Sequence, residues 1–272
     1  MGEGIKLPVI NGLGRTDRID KWWAQPFWMG LALTAALIYT AWRLILFPES
    51  IDYELEGSKV VSPIFSPNIL EWELFGLKEW GENDAPSWVN AAILVLWIPF
   101  GFRGTCYYMR RVYYRTFFQS PTGCWVDEPD INKKIGYGGE KRLFIFNNLH
   151  RYFLYAAMII IVIKWWDVTH TLHFDTGWGF SFGTFIMATE AFLLTMYVTS
   201  CHALRHLAGG SLDRWVSGIS AFRGRLFKRI SVFNRSHGFW FWTSLGFVFL
   251  GDLWTIAVAE GHISDMAFVL VG

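Results

Sequence analysis

The stretch FSFGTFIMATEAFLLTMYVTSCH, from Phe180 to His202, carries one Asp, Glu, Lys or Arg, Glu190, in 23 residues. Crossing roughly 30 Å of hydrocarbon takes about 20 helical residues, because a helix satisfies its backbone groups internally. This stretch therefore reads as a membrane span. Four more have the same character, running approximately Phe27 to Phe47, Trp88 to Tyr108, Leu149 to Trp166, and Gly238 to Val258. The expected fold is all-α: an integral membrane bundle of five transmembrane helices in one domain, 1–272. The apolar run after Asp265 is too short to cross. Composition agrees, with 53% apolar, 18% aromatic and only 17% charged residues, less charge than a soluble globule of this size carries. Many of the 16 Trp lie beside the apolar runs, as in aromatic belts at membrane interfaces. The net charge of +1 speaks against a nucleic-acid partner, and three Cys form no disulfide framework. Residues 1–26 hold Arg15, Arg18 and Lys21 without a short apolar core, so no secretory signal is expected and the first span is retained.

Sorting the cations fixes an expected orientation, since short loops rich in Lys and Arg stay cytoplasmic. Twenty of the 24 fall in three segments on one side: the N-terminal segment (Lys6, Arg15, Arg18, Lys21), Arg103 to Arg151, and Arg205 to Arg235. The loop 48–87 on the other side carries nine acids from Glu49 to Asp84. A cytoplasmic N-terminus and an outer 48–87 loop follow. Within that loop, Ile69, Leu70, Trp72, Leu74, Phe75, Leu77 and Trp80, interspersed with Glu71, Glu73 and Glu79, suggest an amphipathic interfacial helix. Gln119 to Lys141, rich in Pro and Gly, reads as irregular. No internal repeat is visible, and an inverted-repeat transporter finds no support.

All three Cys and four of the seven His gather at the cytoplasmic ends of four spans: Cys106, Cys124, His150, Cys201, His202, His206 and His237. Singly, each reads as a small buried hydrophobe or an interfacial ring tip; as a set they are soft ligands for a redox metal. His202 and His206, four apart, share a helix face, and Cys106 with Cys124 makes a thiolate pair. Two Cys with two His is the ligand set of a Rieske-type [2Fe-2S] cluster, so Cys106, Cys124, His202 and His206 are the expected ligands, with Cys201 in reserve. The alternative is a single haem b between His150 or His237 and His202 or His206; no His in the first two spans disfavours two haems. His150 and His237 are candidates for hydrogen bonding a quinone carbonyl or for replacing a ligand, and Tyr107 and Arg151 are further quinone donors. Charged groups deep in the bundle are functional candidates by default; Glu190 and Asp252 are expected to carry protons.

The runs TCYYMRRVYYRTFFQSPTGC (Thr105 to Cys124), NNLHRYFLY (Asn147 to Tyr155) and SCHALRHLAGG (Ser200 to Gly210) resemble the single-chain, five-helix membrane anchor (cytochrome b-type) subunit of succinate dehydrogenase and fumarate reductase, in its actinobacterial form. The resemblance covers most of the chain from the second span onward. It implies a FAD-containing flavoprotein subunit and an iron-sulfur subunit on the cytoplasmic face, the lipid bilayer of a bacterial cytoplasmic membrane around the chain, menaquinone as electron acceptor, and room for a higher oligomer of the complex. It places succinate chemistry on the flavoprotein. The rival expectations are the b-haem anchor of another quinone-linked dehydrogenase and a small transporter.

Overall fold

The computed structural model describes residues 21, 23–47, 51–73, 76–86, 89–117 and 145–271. Cys124, the Gln119 to Lys141 loop and most of the N-terminal cation segment lie outside the described residues. The chain divides into two compact units, residues 1–39 with 111–137 and residues 40–110 with 138–272. In the first, Gly30 lies against Thr116. The second holds the candidate site described below, while the helices Ala24–Leu46 and Tyr107–Thr116 each have residues in both units.

Among the described residues four helices are long and apolar enough to cross a membrane: α1 (Ala24–Leu46), α6 (His150–His170), α7 (Phe182–Thr199) and α10 (His237–Ala259). Each coincides with an expected span to within a few residues. The expected span Trp88 to Tyr108 differs. It forms α3 (Ala91–Gly104), opened by the Asn90 side chain accepting from Ile93 N, then stops at Thr105 and Cys106 before α4 (Tyr107–Thr116) begins. Fourteen residues reach about 21 Å at 1.5 Å each, short of the hydrocarbon thickness. The apolar count ran past this break because Tyr107 and Tyr108 prolong the run beyond the end of the helix.

α7 is the centre of the second unit, more deeply enclosed than α6 or α10. It packs on both α6 and α10, and α6 packs on α3. Gly101 admits the Phe153 ring where α3 meets α6.

The end of the unit away from His150 is not purely helical, which departs from the all-α expectation. A hairpin joins β1 (Asp52–Leu55) to β2 (Ser58–Val61) through Glu56 and Gly57, both at positive φ. β3 (His173–Phe174), β4 (Gly177–Ser181) and β5 (Ala267–Val271) make a three-stranded antiparallel sheet in that order. The apolar tail after Asp265 is thus a strand. The expected amphipathic helix is split into a 3-10 turn, Ile69–Glu71, and α2 (Leu77–Asn83). Tyr53 donates to Asp265 (2.7 Å), which also accepts from Phe182 N and Gly183 N; burial, then the Asp265 carboxylate, holds the phenol well above its usual range and so protonated.

Residues 62–66 reach down among the helices and satisfy charges there. Arg43 forms a bidentate pair with Asp252 (2.9 and 3.2 Å) and lies over Phe65 (4.9 Å), and Ser62 donates to Asp252. Lys164 donates to the Pro63 carbonyl (3.0 Å) and lies 3.4 Å from Glu190, and Ser66 donates to Asp167 (2.5 Å). Gly251 permits this approach, since a Cβ there would come within 2.6 Å of Pro63 Cγ.

Candidate functional site

α3 and α7 end alike. At Thr105-Cys106 and at Ser200-Cys201 a hydroxyl residue closes the helix and the following Cys starts the next one. The Thr105 hydroxyl donates to Gly101 O (2.6 Å), and that of Ser200 to Tyr197 O (3.0 Å). Cys201, in extended conformation, also caps α8 (His202–Arg205) through Ala203 N. Both thiols are thereby fixed at helix corners, and both are buried.

α6 and α10 begin alike as well. Asn147 donates to Thr105 O and Asn234 to Ser200 O, each at 2.7 Å, and three residues on stand His150 and His237. His150 stacks on Phe102 (centroids 4.6 Å apart) and points Nδ1 at the Thr105 hydroxyl (3.0 Å). His237 stacks on Tyr197 (5.0 Å) and points Nδ1 at the Ser200 hydroxyl (2.8 Å). A pattern of aromatic, two residues, hydroxyl and Cys, completed by Asn, two residues and His, thus occurs twice. The halves cross: His150 Nε2 lies 3.0 Å from Cys201 Sγ, and His237 Nε2 lies 3.4 Å from Cys106 Sγ.

The hydroxyls decide the tautomers. Each has one proton, given to a helix carbonyl, so its oxygen accepts from the imidazole Nδ1–H. Nε2 is then bare and turned to a thiol, which donates to it. The four side chains Cys106, Cys201, His150 and His237 are between 0% and 7% exposed. Two imidazole lone pairs and two ionisable sulfurs therefore face one another with water excluded.

The other expected site residues lie elsewhere. His202 and His206 are exposed: His202 meets the Tyr107 ring edge-on (5.9 Å), and His206 Nδ1 lies 3.0 Å from Arg151. They do share a helical turn, His206 N donating to His202 O, but α7 stops at Thr199 and the chain turns at Ser200-Cys201, so that turn is exposed while Cys106 and Cys201 are buried. Asp252 is held by Arg43. Both carboxylate oxygens of buried Glu190 lack a well-directed hydrogen bond, although Lys164 stands at 3.4 Å. Among the described residues no three of His, Cys, Asp and Glu form a group that could enclose a single metal ion. The residues that sequence reasoning missed are Thr105, Ser200, Asn147, Asn234, Phe102 and Tyr197. Their signal is the repeated local pattern, short enough to escape a search for whole-helix repeats.

Fold and site define a helical membrane subunit with a buried thiol-imidazole cluster at one end. The family model described as actinobacterial succinate dehydrogenase subunit SdhC matches residues 24–261. Among solved structures, a chain of the Mycobacterium smegmatis Sdh1 complex in the apo form is similar: 33% identical, with a TM-score of 0.77, over 98% of this chain and 99% of that one. No curated protein matches. The chain belongs to the actinobacterial succinate dehydrogenase membrane subunit family and is thereby a subunit of an oxidoreductase complex.

Proposed function

We propose that this chain anchors a succinate:quinone oxidoreductase in the bacterial cytoplasmic membrane and reduces menaquinone there, with α3 as a fifth, short crossing segment and the Cys/His end facing the cytoplasm. A FAD-containing flavoprotein and an iron-sulfur subunit are its partners. The crossed half-sites carry this reading. A [2Fe-2S] centre asks for two ligands per iron rather than three or four around one ion, and two thiols with two imidazoles are the Rieske-type donor set. Cys106, Cys201, His150 and His237 would hold it, in place of the expected Cys124, His202 and His206. When bound, such a centre takes up and releases one electron at a time between the partner's iron-sulfur chain and the quinone.

The chain's own residues prepare the place. Thr105 and Ser200 keep the imidazole protons on Nδ1, leaving Nε2 free for metal; such outer hydrogen bonds orient a ligand and raise its basicity. Phe102 and Tyr197 hold the rings from one face, and burial keeps water off the thiols. Both Nε2 atoms face sulfur at hydrogen-bond range, which suits a mixed-ligand cluster better than a haem clasped between facing imidazoles. Tyr107, Arg151, His202 and His206, all exposed at the same end, are donors suited to a quinone headgroup or the docking partner. Glu190 is assigned proton exchange, and the ion pair gives Asp252 a structural task.

Electron paramagnetic resonance of the intact, dithionite-reduced complex tests the ligands. Cys106→Ser, Cys201→Ser, His150→Ala and His237→Ala are each expected to abolish a mixed-ligand [2Fe-2S] resonance with the subunits still assembled. His202→Ala and His206→Ala should keep it. The opposite pattern overturns the assignment, and split visible bands on reduction would replace the cluster by haem.

A further inference from the structure

The two half-sites differ at one charged position. Counting back from each Cys, Phe102 answers to Tyr197 and Thr105 to Ser200, but Arg103 answers to Val198. Arg103 donates to Phe241 O (3.0 Å) and Ser244 Oγ (2.9 Å), with its guanidinium over the rings of Tyr197 (4.7 Å) and Phe241 (5.1 Å). Each of these partners is neutral. Among the described residues no carboxylate forms an ion pair with Arg103, and the nearest cation to Glu190 is Lys164. Cys106 and Glu190 lie within electrostatic reach of Arg103. The buried Tyr197 hydroxyl neighbours Cys106 too; the other half has Phe102 there. A part-buried cation set among neutral groups at the inner end of a span is unfavourable and marks a functional place. The anion it awaits belongs beside Cys106.

We infer that Arg103 is the counter-cation of the reduced centre, stabilising the negative charge the cluster gains with its electron. This rests on the [2Fe-2S] reading above. Two ferric ions, two sulfides, two cysteinates and two neutral imidazoles sum to zero charge. One electron, received from the partner's iron-sulfur chain and later passed to the quinone, makes the sum minus one. A fixed cation in a medium of low polarisability favours that form and raises the reduction potential. Arg103 is a tuning residue and ligates nothing.

Redox titration of the paramagnetic signal in the whole complex measures this directly. Arg103→Gln is expected to make reduction less favourable by about tenfold or more, which for one electron is about 59 mV per tenfold, while Arg103→Lys retains most of the wild-type midpoint. Ser244→Asp leaves the guanidinium in place and pairs it, and is expected to shift the midpoint in the same direction even if Arg103→Gln fails to assemble. An unchanged midpoint in Ser244→Asp, or in an assembled Arg103→Gln, overturns the inference. A complex with no mixed-ligand iron-sulfur signal before any substitution overturns the underlying cluster reading instead.

Discussion

The two hydroxyls beside the cysteines do work that neither sulfur nor imidazole can do. A ring free to protonate either nitrogen presents Nε2–H to the thiol in part of the population, and that population binds no metal. Thr105→Val removes the acceptor for His150 Nδ1–H while nearly preserving shape, and loss of such an outer-shell partner commonly weakens metal binding by about 10–100-fold. Iron and sulfide content of the purified complex should fall accordingly, whereas Thr105→Ser should restore it; full occupancy in the Val variant would mean that stacking on Phe102 alone orients the ring. At the opposite end, Asp252 shows what a buried charge does without chemistry. Asp252→Asn leaves the Arg43 guanidinium, itself 0% exposed, without its anion. Breaking a buried pair on one side is destabilising by about 3–5 kcal/mol, so the thermal midpoint of the complex should drop markedly while the redox signal of the remaining folded protein is unaltered. A quinone-reduction defect at unchanged stability would return Asp252 to proton transfer.

At the scale of helices, apolar run length gave α1, α6, α7 and α10 because crossing a membrane is a one-dimensional demand that composition satisfies directly. The ends of α3 and α7 were not legible that way. Thr105-Cys106 and Ser200-Cys201 continue the apolar run while breaking the helix, and the break is what turns each thiol toward a neighbouring helix. The small sheet escaped notice because β3 is two residues long, β4 runs into the apolar span read from Phe180, and β5, AFVLV, is apolar throughout and shows no alternation. The cation count sees Arg205 to Arg235 only as a basic segment, whereas α9 (Gly218–Asn234) within it is a helix opened by a Ser217-Ser220 capping box. Convergence of Cys and His on one end was readable; their pairing was not, since it depends on these corners. The α3–α6 contact makes this testable. A side chain at Gly101 would overlap the Phe153 ring, and overpacking of this kind is destabilising by about 1–3 kcal/mol. Gly101→Val should lower both the thermal midpoint and cluster occupancy by pushing Thr105 away from His150. Adding Phe153→Ala should recover part of each, and a double variant no better than the single one would place the strain elsewhere.

For the whole molecule, the cation count and the Cys/His cluster assign the same side to the cytoplasm, which is what the proposed function requires of electron delivery. Under that proposal a soluble iron-sulfur partner would stay on the side where it is made, short basic loops stay on that side too, and a relay would have to lie near them. Twenty of the 24 cations fall in segments assigned to the side of the Cys/His cluster, so the topology predicts which surfaces a membrane-impermeant thiol reagent can reach. Cys106 and Cys201 are buried and Cys124 is no ligand in the four-residue assignment, so Cys124→Ser should leave the redox signal intact and supply a quiet background. Into it, Glu260→Cys and Arg214→Cys place single thiols at exposed positions beyond α10 and before α9. In sealed right-side-out vesicles the thiol at position 260 should label at once and that at 214 only after permeabilisation. Labelling in the reverse order would invert the bundle, separate the cluster from the cytoplasmic partner by the thickness of the membrane, and remove the electron path on which the proposed function depends.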